Sequence, residues 1–268
     1  MFFLICVSVS GSTALRQNNC FVYQFCQNAI LYCMKRYNVL TEVICNVLLV
    51  CVVVAVALVG FQGSVTNVFS MASDNAIYRG NNQNCVSLMF NVYWGTEYIA
   101  DILAILNKYN AKCTFFVGGS WAVENPEVLQ LIHANGHEIG NHGYFHKQHS
   151  KLTFQQNVEE ISLCNKVVFE LIGVVPTLFA PPSGDFSVET LQASQSLACK
   201  TIMWTRDTID WRDKDSKLIL QRATKDIVGG EFILLHPTLH TLQSLEKMLQ
   251  YYKSQNLTVA TVSNNLGE

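Results

Sequence analysis

Short apolar runs alternate with longer segments of helical period along the C-terminal two thirds of the chain. The runs predicted as strands are Val86–Phe90, Thr114–Val117, Glu138–Gly140, Thr177–Ala180, Thr201–Trp204, Phe232–Leu235 and Thr258–Val262. The segments predicted as helices are Glu97–Tyr109, Pro126–Ala134, Phe154–Leu171, Val188–Leu197, Lys217–Val228 and Leu242–Lys253. This alternation is typical of a parallel sheet with crossover helices. Seven strands in about 180 residues predict an α/β fold, a distorted seven-stranded parallel (β/α) barrel, since a complete eight-stranded barrel usually needs about 250 residues.

Upstream of these elements, residues 43–61 form an apolar run without charge, in which Asn46 is the one clearly polar side chain. At about 1.5 Å per residue the run spans roughly 28 Å, close to the thickness of a bilayer core. A buried globular helix would keep a polar stripe. We therefore predict one N-terminal transmembrane helix. A cleaved signal peptide is the alternative, but its apolar core is usually only about 7–15 residues long.

Composition divides the chain into four predicted segments. Residues 1–33 have no assignable function, and Met34 raises the hypothesis that the natural chain starts there. Residues 34–61 hold a basic flank and the transmembrane helix, and residues 62–84, rich in Asn, Ser and Gly, are predicted as a linker. Residues 85–268 form the α/β domain. The basic flank predicts a single-pass membrane protein whose C-terminal domain lies outside the cytoplasm.

Overall composition excludes some classes of function. With 268 residues and 50% hydrophobic content, the chain can bury a large core. The net charge of −2 provides no basic footprint, so nucleic acid is not expected as a partner. Six of the ten cysteines precede Val52, and the later ones have no Cys-x-x-Cys spacing. Neither a zinc ribbon nor a dense disulfide scaffold is predicted.

Polar clusters follow five of the predicted strands, at residues 91–95, 142–146, 181–185, 207–211 and 236–237. In barrels of parallel strands such loops gather at the C-terminal face, so we expect the five clusters to meet around one pocket. The second cluster places two imidazoles four residues apart, a spacing at which both can bind one metal ion. Taken alone, such a pair could also be surface or capping histidines.

These five clusters, in this order, resemble the polysaccharide deacetylase family, also called the NodB-homology family of carbohydrate esterases. The resemblance covers roughly residues 85–266. Its motifs are Asn-His-Gly-Tyr-Phe-His at 141–146, Asp-Thr-Ile-Asp-Trp at 207–211 and Leu-Leu-His-Pro at 234–237. Trp-Gly-Thr-Glu at 94–97 and Ala-Pro-Pro-Ser-Gly at 180–184 are most similar to the sporulation-associated subgroup of endospore-forming bacteria.

The resemblance implies metal-dependent removal of N-acetyl groups from N-acetylglucosamine-type polymers. It assigns His142 and His146 as ligands of a divalent transition metal, with zinc or cobalt expected from imidazole donors. It assigns His236 as the general acid that protonates the leaving amine. Asp210 is the carboxylate that tunes this histidine, and Asp207 is a second carboxylate for the same role.

Two departures from the family pattern put activity in doubt. Family members carry paired aspartates after the first strand, one the base and one a metal ligand, whereas Asn91 stands at the base position here. Ala180 replaces the arginine that holds the base aspartate. Candidates for the missing carboxylate are Asp185, Glu97 and Glu138, with Asp185 favoured because it is predicted at the pocket rim.

Five residues are predicted to contact the sugar: Tyr93, Trp94, Pro182, Ser183 and Trp211. The aromatic rings can stack on sugar faces, although Trp211 could equally pack in the core. The leading hypothesis is a membrane-anchored enzyme that deacetylates peptidoglycan or a related amino-sugar polymer. The alternative is a catalytically weakened or inactive protein of the same fold that binds cell-wall glycan.

Overall fold

The computed structural model describes residues 27–29, 31–32, 41–52 and 76–268. The chain divides into two compact units, residues 1–72 and 73–268. Residues 41–52 are helical, while the rest of the predicted span 43–61 and most of residues 1–33 lie outside the described residues. None of the described helices is both long and apolar enough to cross a membrane.

The second unit contains eight described strands and eight described α-helices. The strands are Cys85–Val92 (β1), Thr114–Val117 (β2), Glu138–Asn141 (β3), Leu178–Phe179 (β4), Lys200–Thr201 (β5), Arg206–Asp207 (β6), Phe232–Leu235 (β7) and Thr258–Val259 (β8). The helices are Ile99–Lys108 (α1), Gly119–Glu124 (α2), Pro126–Ala134 (α3), Phe154–Ile172 (α4), Val188–Ser196 (α5), Ser216–Thr224 (α6), Leu239–Ser254 (α7) and Val262–Leu266 (α8).

The strands form one parallel, curled sheet in the order β5-β4-β3-β2-β1-β7-β6, and β8 pairs with the start of β1. The central strand β1 is buried along its whole length. The path ends at β5 and β6, so the sheet formed by the described residues does not close. The predicted α/β fold with a distorted parallel barrel is confirmed in the form of a curled parallel sheet that makes up part of a barrel.

Side chains of β1 alternate between two apolar clusters, as the pleat of a strand requires. Leu88 and Phe90 belong to the larger cluster, which the surrounding helices cover. Met89 belongs to a smaller cluster inside the curl of the sheet, together with Ala180. Asn91 lies two residues after Met89 and therefore faces the interior at the C-terminal end of β1.

The differences from the predicted elements lie in the short ones. Of the expected strand Thr201–Trp204 only Thr201 belongs to a described strand, β5, and a separate two-residue strand, β6, follows. The expected strand Thr258–Val262 ends at Val259, because the Thr261 side chain accepts the Asn264 N–H and starts α8. Such a cap satisfies a free N–H of the first helical turn.

Residues 76–84, the described end of the predicted linker, are bonded to the sheet. Ile77 forms a parallel bridge with Ile202, and Arg79 forms an antiparallel bridge with Glu231. The segment thereby connects the residue after β5 with the residue before β7.

Candidate active site

Strand β3 places His142 inside the barrel. The Asn141 side chain points outward, where its Nδ2 donates to Asn165 Oδ1 of α4 at 2.7 Å. His142 is the next residue and by alternation points inward. The chain then turns through Gly143 (φ 72°) and His146 (φ 54°). This turn brings the ring centroids of His142 and His146 to 5.1 Å, with the planes at 70°.

The two imidazoles have the protonation state that metal binding needs. His142 is buried, and its Nδ1 lies 2.7 Å from the Ala180 carbonyl oxygen. An Nδ1–H donated to this carbonyl leaves the Nε2 lone pair for a cation. Burial and the neighbouring His146 lower the pKa of His142 well below its usual value, and burial also lowers the pKa of His146. Neutral imidazoles fit a transition-metal ion in donor type.

Two aromatic residues after β1 connect the histidine pair with His236. The Tyr93 ring stacks on His146 with centroids 4.6 Å apart. The Trp94 ring stacks on His236 at 5.4 Å and an angle of 18°, while 48% of Trp94 remains exposed. The charge of His236 also lowers the pKa of both His142 and His146, by less than burial does. Because Tyr93 and Trp94 are consecutive residues, these two stacking contacts bring His236 and the histidine pair to the same end of β1.

Asp210 holds His236 by two contacts. Its Oδ1 lies 2.7 Å from His236 Nδ1, and its Oδ2 accepts the His236 backbone N–H at 2.7 Å. The Thr241 hydroxyl donates to the same Oδ2. Because Nδ1 is engaged, the Nε2 edge of His236 is the one that remains to exchange a proton with a ligand.

A strained turn aims Asp210 at His236. Ile209, the preceding residue, has φ 55°, a conformation that β-branched residues rarely adopt. The Asp207 carboxylate accepts the Ile209 backbone N–H at 2.8 Å. Among the described residues the carboxylate bonded to the His236 ring is Asp210, whereas Asp207 supports the turn.

Comparison with known proteins places this geometry in a family. Residues 78–202 match the family model of polysaccharide deacetylases. The uncharacterized protein YlxY of Bacillus subtilis is 38% identical over 193 residues, which cover 72% of this chain and 60% of YlxY. The crystal structure of BA3943 from Bacillus anthracis, described as a CE4 family pseudoenzyme, is 36% identical with a TM-score of 0.71; the match covers 72% of this chain and 69% of BA3943. The chain belongs to the polysaccharide deacetylase family.

Similar members of the polysaccharide deacetylase family include both enzymes and pseudoenzymes. A peptidoglycan-N-acetylglucosamine deacetylase of Bacillus cereus is 29% identical over 192 residues, covering 69% of this chain and 90% of that enzyme. A mutant of BA3943 is described as a pseudoenzyme with restored enzymatic activity. It is 34% identical to this chain with a TM-score of 0.71, and the match covers 72% of each chain. Membership of the family therefore does not by itself establish activity.

The two positions that depart from the deacetylase pattern both face the barrel interior. Asn91 is buried, and its Oδ1 has no hydrogen-bond partner among the described residues. Ala180 is fully buried, and its methyl group packs in the interior cluster with Met89. An amide and a methyl group therefore occupy the places where the resemblance leads us to expect an aspartate and an arginine.

Each of the three candidate carboxylates accepts a hydrogen bond from a residue outside the histidine pair. Asp185 accepts the Ser150 N–H at 2.9 Å, and Glu97 accepts the Thr96 N–H at 3.0 Å. Glu138 accepts the Thr114 hydroxyl at 2.6 Å. Within the described ranges no group of three His, Cys, Asp or Glu side chains is arranged to hold a metal ion.

The remaining predicted sugar contacts follow strands β4 and β6. Trp211 is 54% exposed, so the alternative that it packs in the core is wrong. The Arg212 guanidinium lies 6.0 Å from its ring centroid. Ser183 is exposed and has φ 57°, whereas Pro182 is buried close to Gly143.

Sequence reasoning missed the buried polar residues that support the site. Thr241, at the start of α7, bonds to Asp210, and Glu160 of α4 bonds to the loop after β3. The signal was available in α4, whose buried stripe includes Asn157 and Glu160 at positions where an amphipathic helix carries apolar residues.

Proposed function

We propose that the domain binds an N-acetylglucosamine-type polysaccharide, such as peptidoglycan, and lacks efficient deacetylase activity. The observation that carries this proposal is the absence, among the described residues, of a carboxylate beside His142 and His146. Asn91 can orient a water molecule but cannot take its proton at neutral pH. A positioned general base contributes about 10² to 10⁴ in rate, so its loss weakens the chemistry far more than the binding of glycan.

Exposed aromatic rings support the binding of sugars. Trp94 lies over His236, Phe145 directly precedes His146, and each has about half of its surface exposed. Flat apolar rings of this kind stack on the C–H faces of pyranose sugars. We take the polymer class for this proposal from related enzymes whose names specify peptidoglycan.

The proposal includes a divalent transition metal, zinc or cobalt, held by His142 and His146. When bound, such an ion polarises a carbonyl group as a Lewis acid. Two imidazoles make a weak site, so we expect low affinity. Elemental analysis after dialysis should find metal in the wild type and much less in the His142→Ala, His146→Ala double variant. Equal metal in the two proteins would mean that the pair is structural.

Slow deacetylation is the second candidate function, and the Asp210–His236 pair favours it. The pair keeps an imidazole edge available to protonate a leaving amine, which is the acid half of amide hydrolysis. Any acetate release by the wild type should then disappear in His236→Ala.

We further propose that the domain lies outside the cytoplasm and is anchored through the apolar run 43–61. Lys35 and Arg36 before the run support this orientation. Protease added to intact cells should remove the C-terminal domain. A domain that stays protected until the membrane is broken would show the opposite orientation.

The binding proposal is tested by titrating the protein with an N-acetylglucosamine oligomer in a calorimeter. Trp94→Ala should raise the dissociation constant about tenfold, because the variant loses an aromatic stacking surface. Phe169→Ala, which removes an exposed ring from α4, is the matched control and should leave binding unchanged. The absence of binding by the wild type, or equal binding by both variants, would contradict the proposal.

A further inference from the structure

The buried face of α4 carries polar side chains that hold a segment made of the last residue of β3 and the loop after it. Three contacts along the helix bind three successive parts of this segment. The pairs are Asn165 Oδ1 with Asn141 Nδ2 at 2.7 Å, Glu160 Oε2 with Phe145 N at 2.8 Å and Asn157 Oδ1 with His149 Nδ1 at 2.6 Å. The helix runs in the opposite direction to the segment, so α4 acts as a template for residues 141–149.

Glu160 is the only one of these three template residues that carries a charge. Its Oε2 accepts the backbone N–H groups of Tyr144 at 3.1 Å and Phe145 at 2.8 Å, and its Oε1 lies 2.8 Å from Lys147 Nζ. Only 5% of Glu160 is exposed. Hydrogen bonds to a buried, charged acceptor are roughly twice as strong as those between neutral groups. Removal of this charge should therefore loosen the segment more than removal of a neutral contact.

The bonded amides lie between the two histidines of the proposed metal site. Gly143 and His146, on either side of them, both have positive φ angles, and this conformation is unfavourable for His146. Contacts from outside the loop help to hold the backbone in this shape. Glu160 supplies two such contacts without touching either imidazole ring.

We propose that Glu160 is a positioning residue for the His142–His146 pair. It fixes the turn that brings the two rings together, and so determines how tightly they bind a divalent metal. This inference rests on the proposed metal site. Partners outside the first coordination sphere commonly contribute about 10- to 100-fold to metal affinity, because they orient the ligands.

The experiment compares Glu160→Gln and Glu160→Ala with Glu159→Gln, a change at the exposed neighbour on the same helix. Hydrogen exchange of the Tyr144 and Phe145 amides is measured without metal. Cobalt affinity and the visible absorption spectrum of bound cobalt are then measured by titration. Thermal unfolding identifies any variant that fails to fold. If Glu160→Ala does not fold, the conclusion rests on Glu160→Gln, which keeps the side-chain shape.

We expect exchange of the two amides to accelerate about tenfold or more in the Glu160 variants, since each loses a charge-assisted hydrogen bond. Cobalt affinity should fall about 10- to 100-fold with an altered absorption spectrum, and Glu159→Gln should match the wild type. Unchanged amide exchange, or faster exchange with unchanged cobalt binding, would overturn the positioning role. If the wild type binds no cobalt, the proposed metal site is wrong, and amide exchange still decides whether Glu160 holds the loop.

Discussion

At the residue scale, Asp210 and Asp207 lie in different environments. The Asp210 side chain is fully buried and accepts from the His236 ring, the His236 backbone and the Thr241 hydroxyl. Asp207, three residues earlier, accepts a single backbone N–H and is partly exposed. The resemblance assigned one role to both residues, whereas the structure shows two different environments.

Asp210→Asn should destabilise the protein by about 2–4 kcal/mol, because an amide nitrogen replaces one of two oxygens that both accept hydrogen bonds from buried donors. Asp207→Asn is the control and should cost less than about 1 kcal/mol, since the amide oxygen can still accept the Ile209 N–H. Urea unfolding at pH 7 measures both changes. Equal losses of stability would contradict the different environments described here.

The main side chains of the site could be predicted from the sequence because each follows a strand. His142 follows β3, Asp210 follows β6 and His236 follows β7, and the contact between Asp210 and His236 joins two of these strand ends. Glu160 could not be found in this way, because it lies in the middle of a helix, where an acidic residue is ordinarily predicted to be exposed. Its position on the otherwise apolar side of α4 was the available signal, whereas its contact with the loop after β3 is not visible in local sequence.

At the element scale, β2 and β3 are joined at their beginnings by a buried histidine. His137 Nδ1 accepts the Cys113 backbone N–H at 3.1 Å, and its ring packs edge-on against Phe115. Burial, with a smaller contribution from Lys112, lowers the pKa of His137 from 6.5 to about 4. Protonation of Nδ1 would also remove the acceptor of the Cys113 N–H.

Stability should therefore decrease as the pH falls from about 6.5 toward 4, because the unfolded chain binds the proton of His137 before the folded chain does. By pH 5 the titration of His137 should lower the free energy of unfolding by about 1–2 kcal/mol, after allowance for partial solvent screening. His137→Asn keeps an acceptor for the Cys113 N–H but does not titrate, so it should lose less stability between pH 7 and pH 5. His133→Asn, at an exposed position of α3, should behave like the wild type in urea unfolding at the two pH values.

The longer elements could be predicted from hydrophobic periodicity, while the shortest ones could not. Strand β6 has only two residues, and its position depends on hydrogen bonds to β7 that are distant in sequence. Helix α2 follows β2 directly and has six residues, too few for a period to show. Neither element was therefore among the predicted ones, although the polar cluster at residues 207–211 begins at the last residue of β6.

At the scale of the whole molecule, the segment 76–84 completes the second compact unit. The Ile77 N–H donates to Thr201 O, and the Gly80 N–H donates to Gly230 O, both at 2.8 Å. We predicted a domain that begins at residue 85. These bonds lead us to expect that a protein of residues 76–268 is more stable than one of residues 85–268.

The free energy of unfolding of the longer protein should be about 2–4 kcal/mol higher, since the shorter one loses several backbone hydrogen bonds at once. The entropy cost of ordering residues 76–84 offsets part of this stabilisation. Arg79→Ala in the longer protein is the control and should cost less than about 1 kcal/mol, because it removes one partly exposed ion pair. Equal unfolding free energies for the two lengths would show that the domain boundary lies at residue 85.

The central proposal is that the domain keeps the histidines of a deacetylase site while, among the described residues, no carboxylate lies beside His142 and His146 to act as the base. The most direct test is acetate release from an N-acetylglucosamine oligomer and from purified peptidoglycan, with zinc or cobalt present. Positions 91 and 180 both face the interior of the sheet, so Asn91→Asp together with Ala180→Arg introduces an aspartate and an arginine on this face. We expect no measurable acetate from the wild type and measurable release from the double variant. Acetate release by the wild type that disappears in His236→Ala would contradict the proposal and establish the enzyme.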